Sequence, residues 1–182
     1  MKISVYIAAS LDGFIAREDG GLDWLPGSDG QSSGADGEDF GFQAFMDSVD
    51  ALVMGRNTFE MVHSFGGWAY GDTRVVVLSR TLAHLPPNTP PTVELQSGPL
   101  AELVAGLRQS GARHVYVDGG QTIQAFLQAG LVTNFIITTV PVLIGRGIPL
   151  FGPLAQDVLL RHVKTRTFAN GFVQSSYRVA SV

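Results

Sequence analysis

The sequence predicts an α/β protein, a three-layer αβα sandwich in which helices cover both faces of a mostly parallel sheet. Short apolar runs rich in branched residues alternate with segments whose apolar residues recur at helical spacing, and this alternation is typical of parallel sheets. The C-terminal segment 158–179 contains Asn170-Gly171, which indicates an antiparallel hairpin because both residues tolerate positive φ. With 182 residues, 45% of them hydrophobic, the chain is expected to fold as one domain.

The first half of the chain is predicted to contain three strands, two helices and one long loop. The strands are short runs of branched apolar residues, and the helices show apolar residues at helical spacing. Residues 10–37 are rich in glycine and acidic residues, a composition typical of a lid or a binding loop. In chain order we expect a strand at 3–9, this loop, a helix from 38 or 39 to 48, a strand at 51–54, a turn at 55–58, a helix at 59–64 and a strand at 74–78.

The second half is predicted to continue the alternation after a stiff connector formed by four prolines between positions 86 and 91. Pro99 is compatible with the first turn of a helix, where its missing N–H has no partner to lose. In chain order we expect an edge strand at 92–95, a helix at 99–109, a strand at 114–117, a Gly-Gly turn, a helix ending near 129, a strand at 134–140 and the hairpin.

The composition excludes several classes of function. The chain has no cysteine, which excludes a disulfide framework, a thiolate zinc site, a cysteine nucleophile and an iron–sulfur cluster. The net charge of −4 argues against nucleic acid or an acidic membrane as the main partner. The four histidines lack metal-ligand spacing, so no metal is expected, and no segment resembles a signal peptide or a membrane span. We therefore expect a soluble, cytoplasmic protein.

Residues at four predicted strand ends could bind a phosphate-containing ligand, because ligands of open α/β sheets bind beyond the carboxyl ends of the strands. Gly119-Gly120 permits a close approach of the backbone, and the helix that follows offers unpaired N–H groups. Arg56 and Arg80 could add charge-assisted contacts. The alternative is a plain tight turn and two solvated arginines. The four strand ends are 8–10, 54–58, 78–81 and 117–122.

Taken in order, these strand ends resemble the dihydrofolate reductase-like superfamily, and more closely the family named after the C-terminal reductase domain of the riboflavin-biosynthesis protein RibD. The resemblance spans nearly the whole chain. It rests on SLDGFIA at 10–16, DALVMGRNTFE at 50–60, VLSR at 77–80, VYVDGG at 115–120 and GRGIPLF at 145–151.

The resemblance implies a dihydrofolate reductase-like fold and an NADPH-dependent reductase whose cofactor lies extended across the sheet. NADPH would carry the hydride, and the protein would orient it and the acceptor. The implied contacts are Ala9, Ile15 and Ala16 at the nicotinamide; Gly55, Arg56, Asn57 and Thr58 along the pyrophosphate and ribose; Leu78, Ser79 and Arg80 at the 2′-phosphate; and Gly119, Gly120, Gln121, Thr122 and Ile123 at the helix that caps the pyrophosphate.

The resemblance also implies the substrate side of the site. Asp39 lies fifteen residues before Met54, where dihydrofolate reductases carry the carboxylate that orients the pterin and assists protonation. Glu38 is adjacent, and the alternative for Asp39 is an ordinary acid at a helix N-terminus. The implied substrate contacts are Trp24, Asp39, Thr138 and Gly145. The expected reaction is hydride transfer to a C=N-type bond of a pterin- or pyrimidine-like molecule. A phosphorylated pyrimidine substrate would also need residues that bind its phosphate, and loop 145–147 is the candidate.

Other interpretations stay open at this point. The chain could be a non-catalytic NADP(H)-binding sensor or a structural dimer module, or a flavin-binding reductase of another fold, although Ser79 and Arg80 suit a 2′-phosphate better than a flavin. A homodimer is expected from the resemblance and from the apolar segment 135–150. The 182 residues hold no deaminase half, so the bifunctional riboflavin enzyme is not expected, and the polar insert 28–36 has no assigned role.

Overall fold

The computed structural model of the chain describes residues 1–26 and 38–180, so the insert 28–36 lies outside the described residues. Ten strands and four helices are assigned in that part of the chain. The strands are β1 (Lys2–Ser10), β2 (Phe14–Ala16), β3 (Ala51–Gly55), β4 (Arg74–Leu78), β5 (Val93–Gln96), β6 (His114–Asp118), β7 (Asn134–Val140), β8 (Ile148–Pro149), β9 (Leu160–Thr167) and β10 (Val173–Val179), and the helices are α1 (Phe42–Met46), α2 (Arg56–Ser64), α3 (Leu100–Gln109) and α4 (Gly120–Gln128).

Eight of the strands form one sheet in the order β5-β4-β3-β6-β1-β7-β10-β9. All pairs from β5 to β7 are parallel, whereas β10 runs antiparallel to both β7 and β9. The predicted mostly parallel sheet with a C-terminal antiparallel hairpin is therefore confirmed. Asn170 and Gly171 lie in the turn of that hairpin, and Gly171 has a φ of +85°, the conformation that made this dipeptide a turn signal.

Helices cover the sheet on both faces, which confirms the three layers. On one face, Phe126 and Ile123 of α4 and Leu107 of α3 pack against the valines of β3 and β6. On the other face, Phe45 of α1 and Phe59 of α2 pack against the alternate residues of the same strands. Burying an aromatic or branched side chain of this size stabilises the fold by about 1.5–3 kcal/mol, so each face of the sheet carries its own stabilising cluster.

Three details differ from the sequence prediction. Helix α2 begins at Arg56, directly after the extended Gly55 (φ −81°, ψ 164°), so residues 56–58 are helix and not a turn. Helix α1 spans only Phe42–Met46. The segment predicted as a loop contains β2, which pairs with β8 in a separate two-stranded ribbon. A pairing across more than 130 residues leaves no local periodicity, so the sequence offered no signal for it.

The apolar segment 135–150 is only partly buried. Phe135, Val140 and Leu150 are at most 4% exposed and belong to this chain's own core, whereas Leu143 is 70% exposed, so the homodimer stays a prediction. Leu159 and Val163 are also strongly exposed. Within the described ranges, every helix is too short or too polar to span a bilayer.

Candidate functional site

The strand ends that the sequence singled out are brought together at one edge of the sheet. Strands β4, β3, β6 and β1 are consecutive neighbours and all parallel, so their carboxyl ends point the same way. Leu78 pairs with Gly55, and Met54 pairs with Asp118. The candidate site therefore forms where β4, β3 and β6 end side by side, which is the place at which open α/β sheets bind ligands.

The turns after β3 and β6 approach each other so closely that each needs a glycine. Gly119 has a φ of +87°, and a Cβ on it would overlap the hydroxyl of Thr58. A Cβ on Gly55 would lie 2.9 Å from the hydroxyl of Thr122. These four residues interlock the two turns, so their backbone is held in place.

Two helices begin at this interlocked pair of turns. Helices α2 and α4 are nine residues each, start from adjacent strand ends and carry no acidic residue in their first turns. Their unpaired N–H groups and their dipoles favour an anion at that place. Arg56 is exposed, and its guanidinium is 3.9 Å from the Glu60 carboxylate, a loose pair that leaves it available.

Ile123 is a correction to the predicted contacts. Its side chain is fully buried in the core and its backbone N–H donates to the carbonyl of Gly119 at 2.8 Å. No polar group of Ile123 is left for a ligand, so its role is to pack α4 against the sheet. Gln121, by contrast, is exposed on the first turn of the same helix.

The residues after β4 form a small turn beside β3. The hydroxyl oxygen of Ser79 accepts hydrogen bonds from the backbone N–H groups of Thr81 (3.2 Å) and Leu82 (2.9 Å). This turn presents Arg80 to solvent, and within the described part of the chain its guanidinium makes no ion pair. A free guanidinium at this end of the sheet is suited to a phosphate.

Asp12 joins the β1–β2 turn to the loop that precedes β8, a role that the sequence analysis did not assign. Its carboxylate accepts hydrogen bonds from the Ser10 hydroxyl (2.6 Å) and from the N–H groups of Gly145 (2.8 Å) and Ile144 (3.3 Å). These hydrogen bonds, the one from Ser10 first, hold the pKa of Asp12 below its usual value. These hydrogen bonds, which we call the Asp12 brace, hold the β2–β8 ribbon over α4.

The β2–β8 ribbon covers the start of α4 at close range. A Cβ on Gly120 would lie 2.9 Å from the Ile15 side chain and 3.2 Å from that of Ile148, and a Cβ on Gly147 would overlap the carbonyl oxygen of Ala16. Ile15 is thereby set beside the glycine turn, next to the end of β1. Ala9, also predicted as a contact, is 4% exposed and packs into the core.

Asp39 precedes α1 and caps it. Its two carboxylate oxygens accept hydrogen bonds from the N–H groups of Gly41 (2.7 Å) and Gln43 (3.1 Å). These two hydrogen bonds lower the pKa of Asp39, so the group is ionised at neutral pH. An ionised carboxylate can orient a ligand that donates hydrogen bonds, but it holds no proton to give.

Asp118 was not predicted to be a functional acid, because in the sequence it is noticeable only as the residue before the Gly-Gly turn. It is half-buried at the end of β6, and its Oδ1 accepts a hydrogen bond from the N–H of Gly119 at 2.8 Å. Burial raises its pKa to about 6, against the pull of that hydrogen bond and of the Tyr116 side chain. Asp118 thus holds a proton over part of the physiological range.

Two of the remaining predicted substrate contacts, Trp24 and Thr138, lie near Phe40, the residue after Asp39, whereas Gly145 lies on another loop. Trp24 is 9% exposed in a cluster with Val140 and Phe172, and within the described residues its indole N–H has no partner. Thr138 is buried, and its hydroxyl oxygen accepts a hydrogen bond from the Gln174 amide at 3.1 Å. Gly145 is exposed on the loop braced by Asp12.

Comparison with known proteins agrees with this geometry. The model of the RibD C-terminal domain family matches residues 1–174. "Uncharacterized protein YwjB" from Bacillus subtilis is 32% identical over 184 residues, which cover 97% of each chain.

Solved structures share the fold. A crystal structure from Shewanella sp. PV-4, whose name associates it with riboflavin biosynthesis, superposes with a TM-score of 0.91 at 40% identity and covers 100% of both chains. The dihydrofolate reductase from Enterococcus faecalis, complexed with NADP(H), superposes with a TM-score of 0.67 at 16% identity over 99% of this chain and 97% of that one. At that identity the second likeness shows the fold alone.

Proposed function

The chain belongs to the RibD C-terminal domain family, and from this premise we propose that it is an NADPH-dependent reductase that transfers hydride to a C=N-type bond of a pterin- or pyrimidine-like small molecule. The observation that carries the proposal is the meeting of two helix N-termini at the interlocked glycine turns of β3 and β6. That arrangement suits a pyrophosphate, because backbone N–H groups and both dipoles address the same point.

The residues present suit a phosphorylated dinucleotide along this edge. Gly55, Thr58, Gly119 and Thr122 form a cradle in which added Cβ atoms would have no room, and Arg80 would hold the 2′-phosphate at the end of β4. The relative of this fold from Enterococcus faecalis is named as a complex with NADP(H). When bound, the cofactor supplies the hydride.

The environments of the two carboxylates push their pKa values apart. Hydride addition to the carbon of a C=N bond leaves a nitrogen that must gain a proton. The ionised Asp39 would orient N–H groups of the acceptor. Asp118 has a pKa of about 6, but its carboxylate accepts a hydrogen bond from Gly119 at the turn proposed for the pyrophosphate, away from the proposed nicotinamide contacts. An Asp118 variant therefore tests whether it supplies that proton, and protonation assisted by Asp39 stays a prediction.

A cofactor-selectivity experiment tests the proposal. NADPH and NADH are compared in binding and in oxidation with dihydropteridine and cyclic-imine pyrimidine acceptors. We expect a preference for NADPH that Arg80→Ala reduces by about tenfold, the loss of one charge-assisted contact. Arg108→Ala, an exposed arginine on α3, is the matched control and leaves the preference unchanged.

Two results would redirect the proposal. Equal affinity for NADPH and NADH contradicts the assignment of Arg80 and of the cofactor. NADPH binding with no oxidation against the whole acceptor panel supports the alternative, a non-catalytic NADP(H)-binding sensor or dimer module.

The homodimer and the cytoplasmic location remain part of the proposal. All eight residues of the edge strand β9 are exposed, and Leu160 and Val163 among them favour self-association. The charges of Arg161, Lys164 and Arg166 on the same strand oppose edge pairing, so the dimer is proposed on the family resemblance and not on this edge. Sedimentation equilibrium measures the mass directly, and a monomer at micromolar concentration rejects this part of the proposal.

A further inference from the structure

A cavity lies between α1 and the C-terminal part of the sheet, away from the glycine turns. It has a volume of about 340 Å³, which is within the usual range of small-molecule pockets. We call it the α1 groove. Its lining residues are Lys2, Tyr6, Phe40, Gly41, Ala44, Phe45, Ser48, Ile136, Lys164, Arg166, Gln174 and Ser176.

Positive charge is concentrated in the α1 groove although the chain as a whole has a net charge of −4. Lys2, Lys164 and Arg166 line it, and no acidic side chain of the described residues does. None of the three cations forms an ion pair within the described part of the chain. The pKa of Lys2 is lowered, by burial first and then by the charge of Arg178, which does not line the groove.

The two cations of β9 are placed to act on one anion. Lys164 pairs with Ser176 and Arg166 pairs with Gln174, so the two lie two residues apart on the same face of the strand. Their Cα atoms are therefore about 7 Å apart, and both long side chains can reach a phosphate between them, the guanidinium with its fork of donors. The Ser176 hydroxyl and the Gln174 amide lie in the adjacent strand beside them.

The opposite wall is neutral and fixed in position. Helix α1 contributes Ala44 to this wall, and the residues that flank the helix contribute Gly41 and Ser48. Above it, the Phe40 carbonyl accepts hydrogen bonds from the Tyr6 hydroxyl (2.9 Å) and the Gln174 amide (3.1 Å). This wall leaves room for a small polar group attached to the phosphate.

The acids near the groove lie at its upper end and do not neutralise it. Asp39 is close enough for Arg166 to lower its pKa, but its oxygens are engaged by the N–H groups of α1. Glu38 is near Tyr6, and its carboxylate accepts a hydrogen bond from the N–H of Phe40 at 2.9 Å. Lys164 therefore has no anionic partner among the described residues.

From these observations we infer that the α1 groove is a binding site for a small organic phosphate, gripped by Lys164 and Arg166 and away from the glycine turns proposed for the cofactor. The groove opens between α1 and strands β10 and β9, whereas the glycine turns end β3 and β6, so this phosphate and the cofactor can be bound at once. The inference does not depend on the proposed reductase activity.

Titration with sn-glycerol 3-phosphate, followed by backbone amide NMR shifts at low salt, tests the inference. We expect saturable shifts at residues 164–166, 174–176 and 44, and none with glycerol. The double variant Lys164→Gln, Arg166→Gln should bind about tenfold more weakly, as removal of charge-assisted hydrogen bonds predicts. Ala44 is exposed on the α1 side of the groove. The variant Ala44→Glu adds a negative charge there and should also weaken binding of the phosphate.

Arg161→Gln is the matched control, because Arg161 is an exposed cation on the same strand that does not line the groove. The affinity of Arg161→Gln for sn-glycerol 3-phosphate should stay within about twofold of the wild-type value. No saturable shift up to about 20 mM ligand, an equal loss in Arg161→Gln, or shifts centred on 119–120 would overturn the inference. The NADPH selectivity of Arg80→Ala is measured in a different assay from these NMR shifts. Either proposal can therefore be rejected while the other stands.

Discussion

Replacement of Asp118 by Asn is expected to stabilise the protein above pH 6 and to remove part of its pH dependence. The native pKa of Asp118 is about 6 against 3.8 for the free group, so between these values the folded state holds a proton that the unfolded state has lost. The free energy of unfolding therefore falls as pH rises from about 4 to about 6. Above pH 6 the contribution of Asp118 to it no longer changes. A displacement of about two pH units corresponds to up to about 3 kcal/mol.

The assay is urea unfolding of wild type and variant at several pH values from 4 to 7.5. The asparagine keeps an oxygen for the Gly119 N–H, so the packing and that hydrogen bond are preserved. The difference in unfolding free energy should grow in favour of Asp118→Asn by up to about 3 kcal/mol from the low to the high end of the range. Other carboxylates, such as Asp12 and Asp39, contribute equally to both proteins and cancel.

A difference that stays constant with pH would refute the reasoning, because it would mean that Asp118 titrates in the native state as it does in the unfolded chain. The same variant connects stability to activity. If Asp118 supplies the proton, wild-type turnover should fall above pH 6 and the residual turnover of Asp118→Asn should be independent of pH in that range.

Three further predictions follow from the site. Asp39→Asn should slow turnover far more than it weakens NADPH binding, and unchanged turnover would reduce Asp39 to a helix cap. Gly119→Ala should destabilise the fold by about 1–3 kcal/mol more than Gly111→Ala, because both glycines have positive φ but only Gly119 also faces Thr58; equal losses in thermal unfolding would contradict the clash. Asp12→Asn should raise the KM for NADPH with an unchanged fold by circular dichroism, since it loosens the brace to Gly145, and an unaltered KM would show that the brace does not matter for binding.

The alternation of strands and helices could be predicted because apolar residues recur with a different spacing in each kind of element. Strands β3, β4 and β6 were predicted to within about one residue, since short branched apolar runs between glycine or polar residues have few other solutions. The hairpin was readable from one dipeptide. The start of α2 was misplaced because a glycine after a strand reads equally well as a turn, and only the tertiary position of β3 carries the chain straight into the helix.

The identity of the residues at the strand ends, the absence of cysteine and the order of the elements were determined by the sequence alone, because they are properties of chain position. What the tertiary structure decided is which of those residues matter chemically. Asp39 and Asp118 are the same residue type, yet two backbone hydrogen bonds keep one ionised and burial at the end of a central strand raises the pKa of the other. Burial and hydrogen bonding depend on neighbours that are distant in the chain, and no local pattern records them.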